Sequence, residues 1–177
     1  GVFPPIEQAA TTSKTKHIAI LATKGAVVSS EIDDFIKSKN LSSNVVVHKV
    51  NASDLVGLVE PGTFQNDKQK TEEVIKSVID PIIMQDPLID VMTLSSTHLP
   101  FLYDYLVNLY PRISFLDPAN EVYLETKKEL SKENLLSTGS GLLKVLTTID
   151  KEGKLKPEDL KNILSVLGLD SEVEVVT

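Results

Sequence analysis

The sequence predicts an α/β fold built on a doubly wound parallel sheet, a flavodoxin-like lobe. Three observations lead there. Short β-branched, apolar runs recur along the chain: HIAILAT (17–23), NVVVHKV (44–50), IDVMTLS (89–95) and RISFLDP (112–118). Segments of helical character alternate with them. The segments between are long enough for the right-handed crossovers that join parallel strands.

In chain order, HIAILAT reads as a buried first strand. KGAVVSS (24–30) reads as a loop, and SEIDDFIKSKN (30–40) as a helix that starts on a serine cap with early acids. NVVVHKV is the second strand, followed by a short apolar piece, ASDLVGLVEPG (52–62), which ends at Pro61 and Gly62. DKQKTEEVIKSVIDPIIMQ (67–85) is an amphipathic helix with Val74, Ile75, Val78 and Ile79 on one face and a bend expected near Pro81. Strand IDVMTLS, helix PFLYDYLVNLY (100–110), strand RISFLDP and helix ANEVYLETKKEL (119–130) complete the alternation. From about Ser131 the pattern changes to a short apolar piece, NLLSTG (134–139), helical stretches around a charged hinge, DKEGKLKPED (150–159), and a strand-like EVEVV (172–176).

Composition narrows the function classes. The 177 residues are 41% hydrophobic and 24% charged, with a formal net charge of -7, the profile of a soluble globular chain with a cytoplasmic setting. The acidic balance, without basic clusters or aromatic platforms, argues against nucleic acid and anionic membrane as partners. No apolar run reaches membrane-spanning length. Cysteine is absent, which removes disulfides, thiolate catalysis and cysteine-based metal sites. The three histidines, His17, His48 and His98, are scattered, and His17 and His48 carry no partner signal. DKEGKLKPEDLK (150–161) fails as a calcium loop because lysines occupy its fifth and twelfth positions. No metal and no cofactor is expected.

Ligands of such sheets bind outside the carboxyl ends of the strands. Polar clusters stand there: ATKGAVVSS (22–30), SSTH (95–98) and DPAN (117–120), with NASDLVGLVE (51–60) after the second strand. Together they would suit a small anionic ligand. Thr23 and Ser29 read as loop or cap residues or as ligand contacts. Thr97 reads as a donor to a ligand carboxylate or as the cap of the helix near Pro100. His98 reads as a ligand contact or as a loop histidine hydrogen-bonded to Glu60. Asp117 reads as the cap of the next helix.

Taken in order, these pieces resemble the second half of the glutamate racemases, within the aspartate/glutamate racemase superfamily. GVFPPIEQAA (1–10) resembles the family's Gly-Val-x-x-Pro and the helix after it. IAILATKGAVVSS (18–30) is similar to Ile-Gly-Val-x-Ala-Thr-x-x-Thr-x-x-Ser, and NASDLVGLVEPG (51–62) to Ala-Cys-Pro-Leu-Phe-Val-Pro-Leu-Val-Glu-x-Gly. TLSSTHLPFL (93–102) resembles Leu-Gly-Cys-Thr-His-Tyr-Pro-Leu-Leu, and FLDPA (115–119) the Ile-Asp-Ser-Ala that follows. LLSTGS (135–140) and LKNILSVLGLDSEVEVV (160–176) are similar to the family's Thr-Thr-Gly-Asp segment and its closing helix and strand.

The resemblance implies a cofactor-independent racemase fold that binds an acidic amino acid, glutamate or aspartate. Complete members interconvert L- and D-glutamate for peptidoglycan, using two cysteines on opposite faces of the α-carbon. Ser96 stands at the second cysteine position, and the first lies in an N-terminal half that this chain is expected to lack. Ala26 stands at the second threonine of the loop that holds the substrate carboxylate, whereas Thr23 and Thr97 match. Ser96, His98 and Glu60 occupy the positions of a thiol, its assisting histidine and the glutamate that orients it. A hydroxyl is a far weaker acid than a thiol and needs a base before it can take a carbon-bound proton. The chain alone is therefore expected to be inactive. Residues 1–117 would form the second lobe. Residues 118–177 would return to complete a similar first lobe, and another chain or that N-terminal half would pack on them.

Overall fold

The computed structural model describes residues 3–137, 139, 143–148, 157–166, 168–169 and 171–176. Its first elements are helix α1 (Ile6–Thr12), strand β1 (His17–Ala22), helices α2 (Lys24–Val28) and α3 (Ser30–Ser38), and strand β2 (Val46–Asn51). Helices α4 (Ser53–Val59), α5 (Thr63–Asn66) and α6 (Lys68–Gln85) lead to strand β3 (Val91–Leu94). A 3₁₀ turn (Leu99–Leu102), helix α7 (Tyr103–Leu109) and strand β4 (Ser114–Leu116) complete the main sheet and its helices. The four strands form one parallel sheet in the order β2-β1-β3-β4, the predicted doubly wound arrangement.

Strand β1 is central and hydrogen-bonded on both sides, with Ile18, Ala19, Ile20, Leu21 and Ala22 each at most 1% exposed. Ala19 and Leu21, together with Met92, Leu94 and Phe115, face a core closed by Leu55 of α4, Phe64 of α5, Ile75 and Ile79 of α6, and Leu106 of α7. Ile18 and Ile20 face the other way, toward Ala9 and Ile6 of α1 and Ile32 of α3. Alternate β1 residues thus supply two cores, as the two-residue period of a strand requires.

Local chemistry explains most element boundaries. Ser29 caps α3, its hydroxyl accepting the Glu31 amide at 3.0 Å, one residue before the serine on which the predicted helix starts. Asp67 caps α6 in the same way through Lys70. Helix α6 continues past Pro81 to Gln85. Gly62, at φ 71°, makes the left-handed turn between α4 and α5 that an L side chain disfavours. The apolar piece at 52–62 is helix α4, with Leu55, Leu58 and Val59 buried at helical spacing.

Two expectations need correction. KGAVVSS is not a loop, since Lys24–Val28 make a helical turn, with the Val27 amide bonded to the Thr23 carbonyl at 3.0 Å. A glycine and two valines obscure that turn in the sequence, and a contact distant in the chain holds its start: the Lys24 amide donates to Ser53 Oγ at 2.8 Å. Nor are His17 and His48 unpartnered, because both ring nitrogens reach one oxygen of Asp86, at 2.6 and 2.7 Å.

After β4 the chain forms helix α8 (Ala119–Lys132), strand β5 (Val145–Thr148), helix α9 (Pro157–Val166) and strand β6 (Val173–Val176). β5 and β6 pair in parallel as a separate two-stranded sheet, with α9 against β6. Helix α8 has no buried residue. Residues 150–156 of the charged hinge lie outside the described residues. No helix among the described residues is long and apolar enough to cross a membrane.

Asp90, just before β3, holds the turn between α1 and β1. Its carboxylate accepts Ser13 Oγ at 2.5 Å and the Lys14 and Thr15 amides at 2.8 and 3.2 Å. Burial alone would raise its pKa, but these donors offset burial and hold the carboxyl below its ordinary range. The stabilisation is therefore full above the ordinary aspartate range and is lost as pH falls through it and below. Asp90→Asn is expected to cost about 2–3 kcal/mol at neutral pH by chemical denaturation, and the loss should shrink in acid. A pH-independent loss would contradict this account.

Candidate active site at the carboxyl edge of the sheet

The strand order reverses between β1 and β3, so the crevice of a doubly wound sheet opens beyond their carboxyl ends. Leu21 lies opposite Leu94, and the Ser95 amide donates to the Leu21 carbonyl at 2.9 Å. Thr23 and Ser96 each follow two residues after the Leu21–Leu94 pair, so the loops that carry them leave the sheet at the same edge. On the other side of β1 the Ala52 amide bonds to the Ala22 carbonyl at 2.7 Å, which brings the loop after β2 to the same edge. Ser53 then ties that loop to Lys24. Three of the four predicted loops are thus joined by hydrogen bonds.

Ser96 and Thr97 line a groove of about 420 Å³, with Pro100, Asp117, Pro118 and Tyr123 among its other walls. Asp117 accepts the Ala119 amide at 2.9 Å, but the cap position of α8 is Pro118, so the expected Asp117 cap is corrected to a turn that leads into the helix. Ala26 and Ser29 line a different groove, of about 320 Å³, beside Phe35 and Phe3. Thr23 is exposed on the rim between β1 and α2.

The Ser96–His98–Glu60 set is only partly assembled. Ser96 Oγ accepts the backbone amide of His98 at 3.4 Å, and no bond joins it to the imidazole. The ring itself points elsewhere: Nε2 stands 3.8 Å from Glu60 Oε1, and Nδ1 lies 3.5 Å from Thr97 Oγ1. The Glu60 distance permits charge attraction without a hydrogen bond, so the predicted His98–Glu60 hydrogen bond is corrected to a loose ion-pair contact. The 3₁₀ turn causes this. The Leu99 amide returns to the Ser96 carbonyl at 3.2 Å, and the tight bend turns His98 toward α4 and away from Ser96. Thr97 does not cap that turn either, because His98 is the residue at the cap position and makes no side-chain cap bond.

Chemically, the edge offers hydroxyls and loop amides that can donate to an anion. Among the described residues, the group with the composition of a metal site is His17, His48 and Asp86. These lie outside this crevice, and Asp90, which follows Asp86 by four residues, precedes β3. Sequence spacing could not reveal this group, because its members are 38 and 69 positions apart.

With Glu60 65% and His98 36% exposed, solvent screens their attraction. A double-mutant cycle of His98→Ala and Glu60→Ala is expected to give a coupling below about 1 kcal/mol. A coupling of several kcal/mol would mean that the pair is a tight, desolvated relay.

No protein-family model matches the chain. Individual relatives do. The glutamate racemase of Glaesserella parasuis serovar 5 is 32% identical over 145 residues, which are 76% of this chain and 51% of that protein. The glutamate racemase of Persephonella marina is 29% identical over 175 residues, 98% of this chain and 61% of that protein. The chain thus spans about half to three-fifths of the length of these curated relatives. Among solved structures, Escherichia coli glutamate racemase in complex with L-glutamate and the activator UDP-MurNAc-Ala superposes with a TM-score of 0.78 at 20% identity, over all of this chain and 64% of that one. A glutamate racemase isoform from Bacillus anthracis gives 0.73 at 20% identity, over 97% and 61%. Along the portion of those proteins that it spans, the chain is a homologue of the glutamate racemases.

Proposed function

We propose that residues 1–117 form a racemase-type lobe that binds the carboxylate of a small acidic amino acid, glutamate before aspartate, and that this chain alone does not racemise it. The observation that carries the reading is the β1–β3 register. With Leu21 opposite Leu94, the loops bearing Thr23 and bearing Ser96 and Thr97 both leave the sheet at its switch point, in a chain homologous to the glutamate racemases, which supports this reading. Thr23 and Thr97 act as hydroxyl donors to the ligand carboxylate, and Ala26 adds no donor of its own.

The inactivity follows from proton-transfer chemistry. Exchanging the α-proton between two faces needs a base on one side and an acid on the other. The chain contains no cysteine, and Ser96 has no hydrogen bond to an imidazole that could activate it. His98 and Glu60 then shape the pocket wall without forming a relay. No cofactor enters this scheme.

Residues 118–177 are read as a segment that seats on a further polypeptide surface, another chain or a racemase-type first lobe. In support, Leu124 and Leu135 are 53% and 65% exposed, and the two-stranded β5–β6 sheet stands apart from the main sheet. A sheet of two strands is marginal by itself.

Titration with D- and L-glutamate, followed by amide NMR, is expected to shift Thr23, Ser96 and Thr97 more strongly than L-aspartate does. In heavy water, no solvent deuterium should enter glutamate Cα above the protein-free rate. Binding with deuterium incorporation would overturn the inactivity. Absence of any shift at these three residues would instead favour a module that works without this ligand. Separately, Leu124→Lys with Leu135→Lys should change the stability of the chain by less than about 0.5 kcal/mol, because neither side chain is covered. A marked loss would show that the segment packs on its own lobe.

A further inference from the structure

His17 opens β1, His48 lies within β2, and Asp86 is the residue that ends the 18-residue helix α6. Register explains how they meet. His17 is paired with Val46 and His48 with Ala19, so both imidazoles stand on the α6 side of the sheet, diagonal to each other. Asp86 Oδ2 lies 2.6 Å from His17 Nδ1 and 2.7 Å from His48 Nε2. Its other oxygen accepts the Leu88 amide at 3.1 Å, which orients the carboxylate. The three side chains are 13–23% exposed, enclosed yet reachable from solvent.

The electrostatics of this corner call for a cation. A carboxylate at the carboxyl end of a long helix sits at the negative end of its dipole, where cations are favoured. The last turn of α6 contains no basic residue, and the ion partners of Asp86 among the described residues are the two histidines. A carboxylate only accepts hydrogen bonds, so both ring nitrogens present N–H groups to one oxygen. The ligand atoms all lie within 4.8 Å of one another.

We propose that His17 Nδ1, His48 Nε2 and Asp86 Oδ2 form a binding site for a divalent transition-metal cation of the zinc class. Two imidazoles and one carboxylate match the donor preference of zinc and its late first-row neighbours. The metal replaces the two N–H···O bonds, and each imidazole turns its lone pair inward by carrying its proton on the opposite nitrogen. Ligand atoms about 2.0–2.1 Å from a tetrahedral ion stand roughly 3.3 Å apart. The two Asp86 contacts must therefore lengthen by less than about 1 Å, while the two imidazole nitrogens, within 4.8 Å of each other, settle at the same spacing. A fourth position is left for water. Because the ligands come from two strands and a helix end, the ion clips β1, β2 and α6 together.

The test uses untagged protein, since a histidine tag would bind the probe. Zinc chloride titrated calorimetrically should bind one ion per chain, reversibly with EDTA, and should raise Tm by about 5 °C or more at a hundredfold excess over Kd. His17→Gln and His48→Gln should each weaken binding at least about tenfold, while His98→Gln should leave it intact. If a variant fails to fold, imidazole ¹⁵N spectra of the wild-type protein give the answer directly: zinc should move the ring nitrogens of His17 and His48 and spare those of His98. The proposal falls if the wild type shows no saturable binding, if the two site variants bind as well as wild type, or if zinc perturbs His98 equally.

Discussion

Every other part of the lobe takes its position from β1. A strand buried on both faces and hydrogen-bonded on both edges tolerates neither a polar side chain nor a slip in register, since a one-residue shift would exchange its two cores. From Ile18 to Ala22 the chain meets that demand with five apolar residues in succession. The ladder then runs past both strand ends, through the Ser95 and Ala52 amides onto the Leu21 and Ala22 carbonyls. The loops at the crevice therefore start from fixed points, and His17 at the opposite end of the strand is set by the same register.

The carboxyl edge of the parallel sheet carries hydroxyl side chains at Thr23, Ser96 and Thr97. On the proposed reading, these hydroxyls stand where proton transfer at carbon would require a readily ionised group. A serine can orient a carboxylate or a water as well as a thiol does, and often better, because its hydrogen bonds are shorter and stronger. It cannot serve as a neutral-pH base without an activating partner. The His98 ring is turned toward α4 and engages Glu60 only loosely, so on the proposed reading the site keeps the orienting half of the chemistry without the activating half.

The features legible in the sequence are those determined by burial. The four strands of the main sheet and helices α3, α6 and α7 show in their apolar patterning, and a serine cap for α3 shows in residue type, one residue late. Helix α2 does not, because Gly25, Val27 and Val28 are poor helix formers and the turn leans on Ser53, 29 residues away. At the site, the chain order of the loops was enough to bring Thr23, Ser96 and Thr97 to one edge. The direction of the His98 ring was not readable, since a spacing of two residues says nothing about a 3₁₀ bend. The cluster of His17, His48 and Asp86 was equally hidden. It exists only once the β1–β2 register and the length of α6 are known together.

Asp90 has a consequence for the order in which this lobe can be assembled. The residues it holds, Ser13, Lys14 and Thr15, precede it by 75 to 77 positions. In that turn Lys16 adopts a left-handed φ of 67°, a conformation an L residue adopts only at some energetic cost. Its own amide bonds to Ser13 Oγ at 2.8 Å, the same hydroxyl that donates to Asp90. Helix α1 is two turns long, too short to persist by itself in water, and its buried face rests on β1 and β3. Although α1 comes before every strand in the chain, its anchorage is among the most non-local contacts in the lobe, closed only after β3 has joined the sheet.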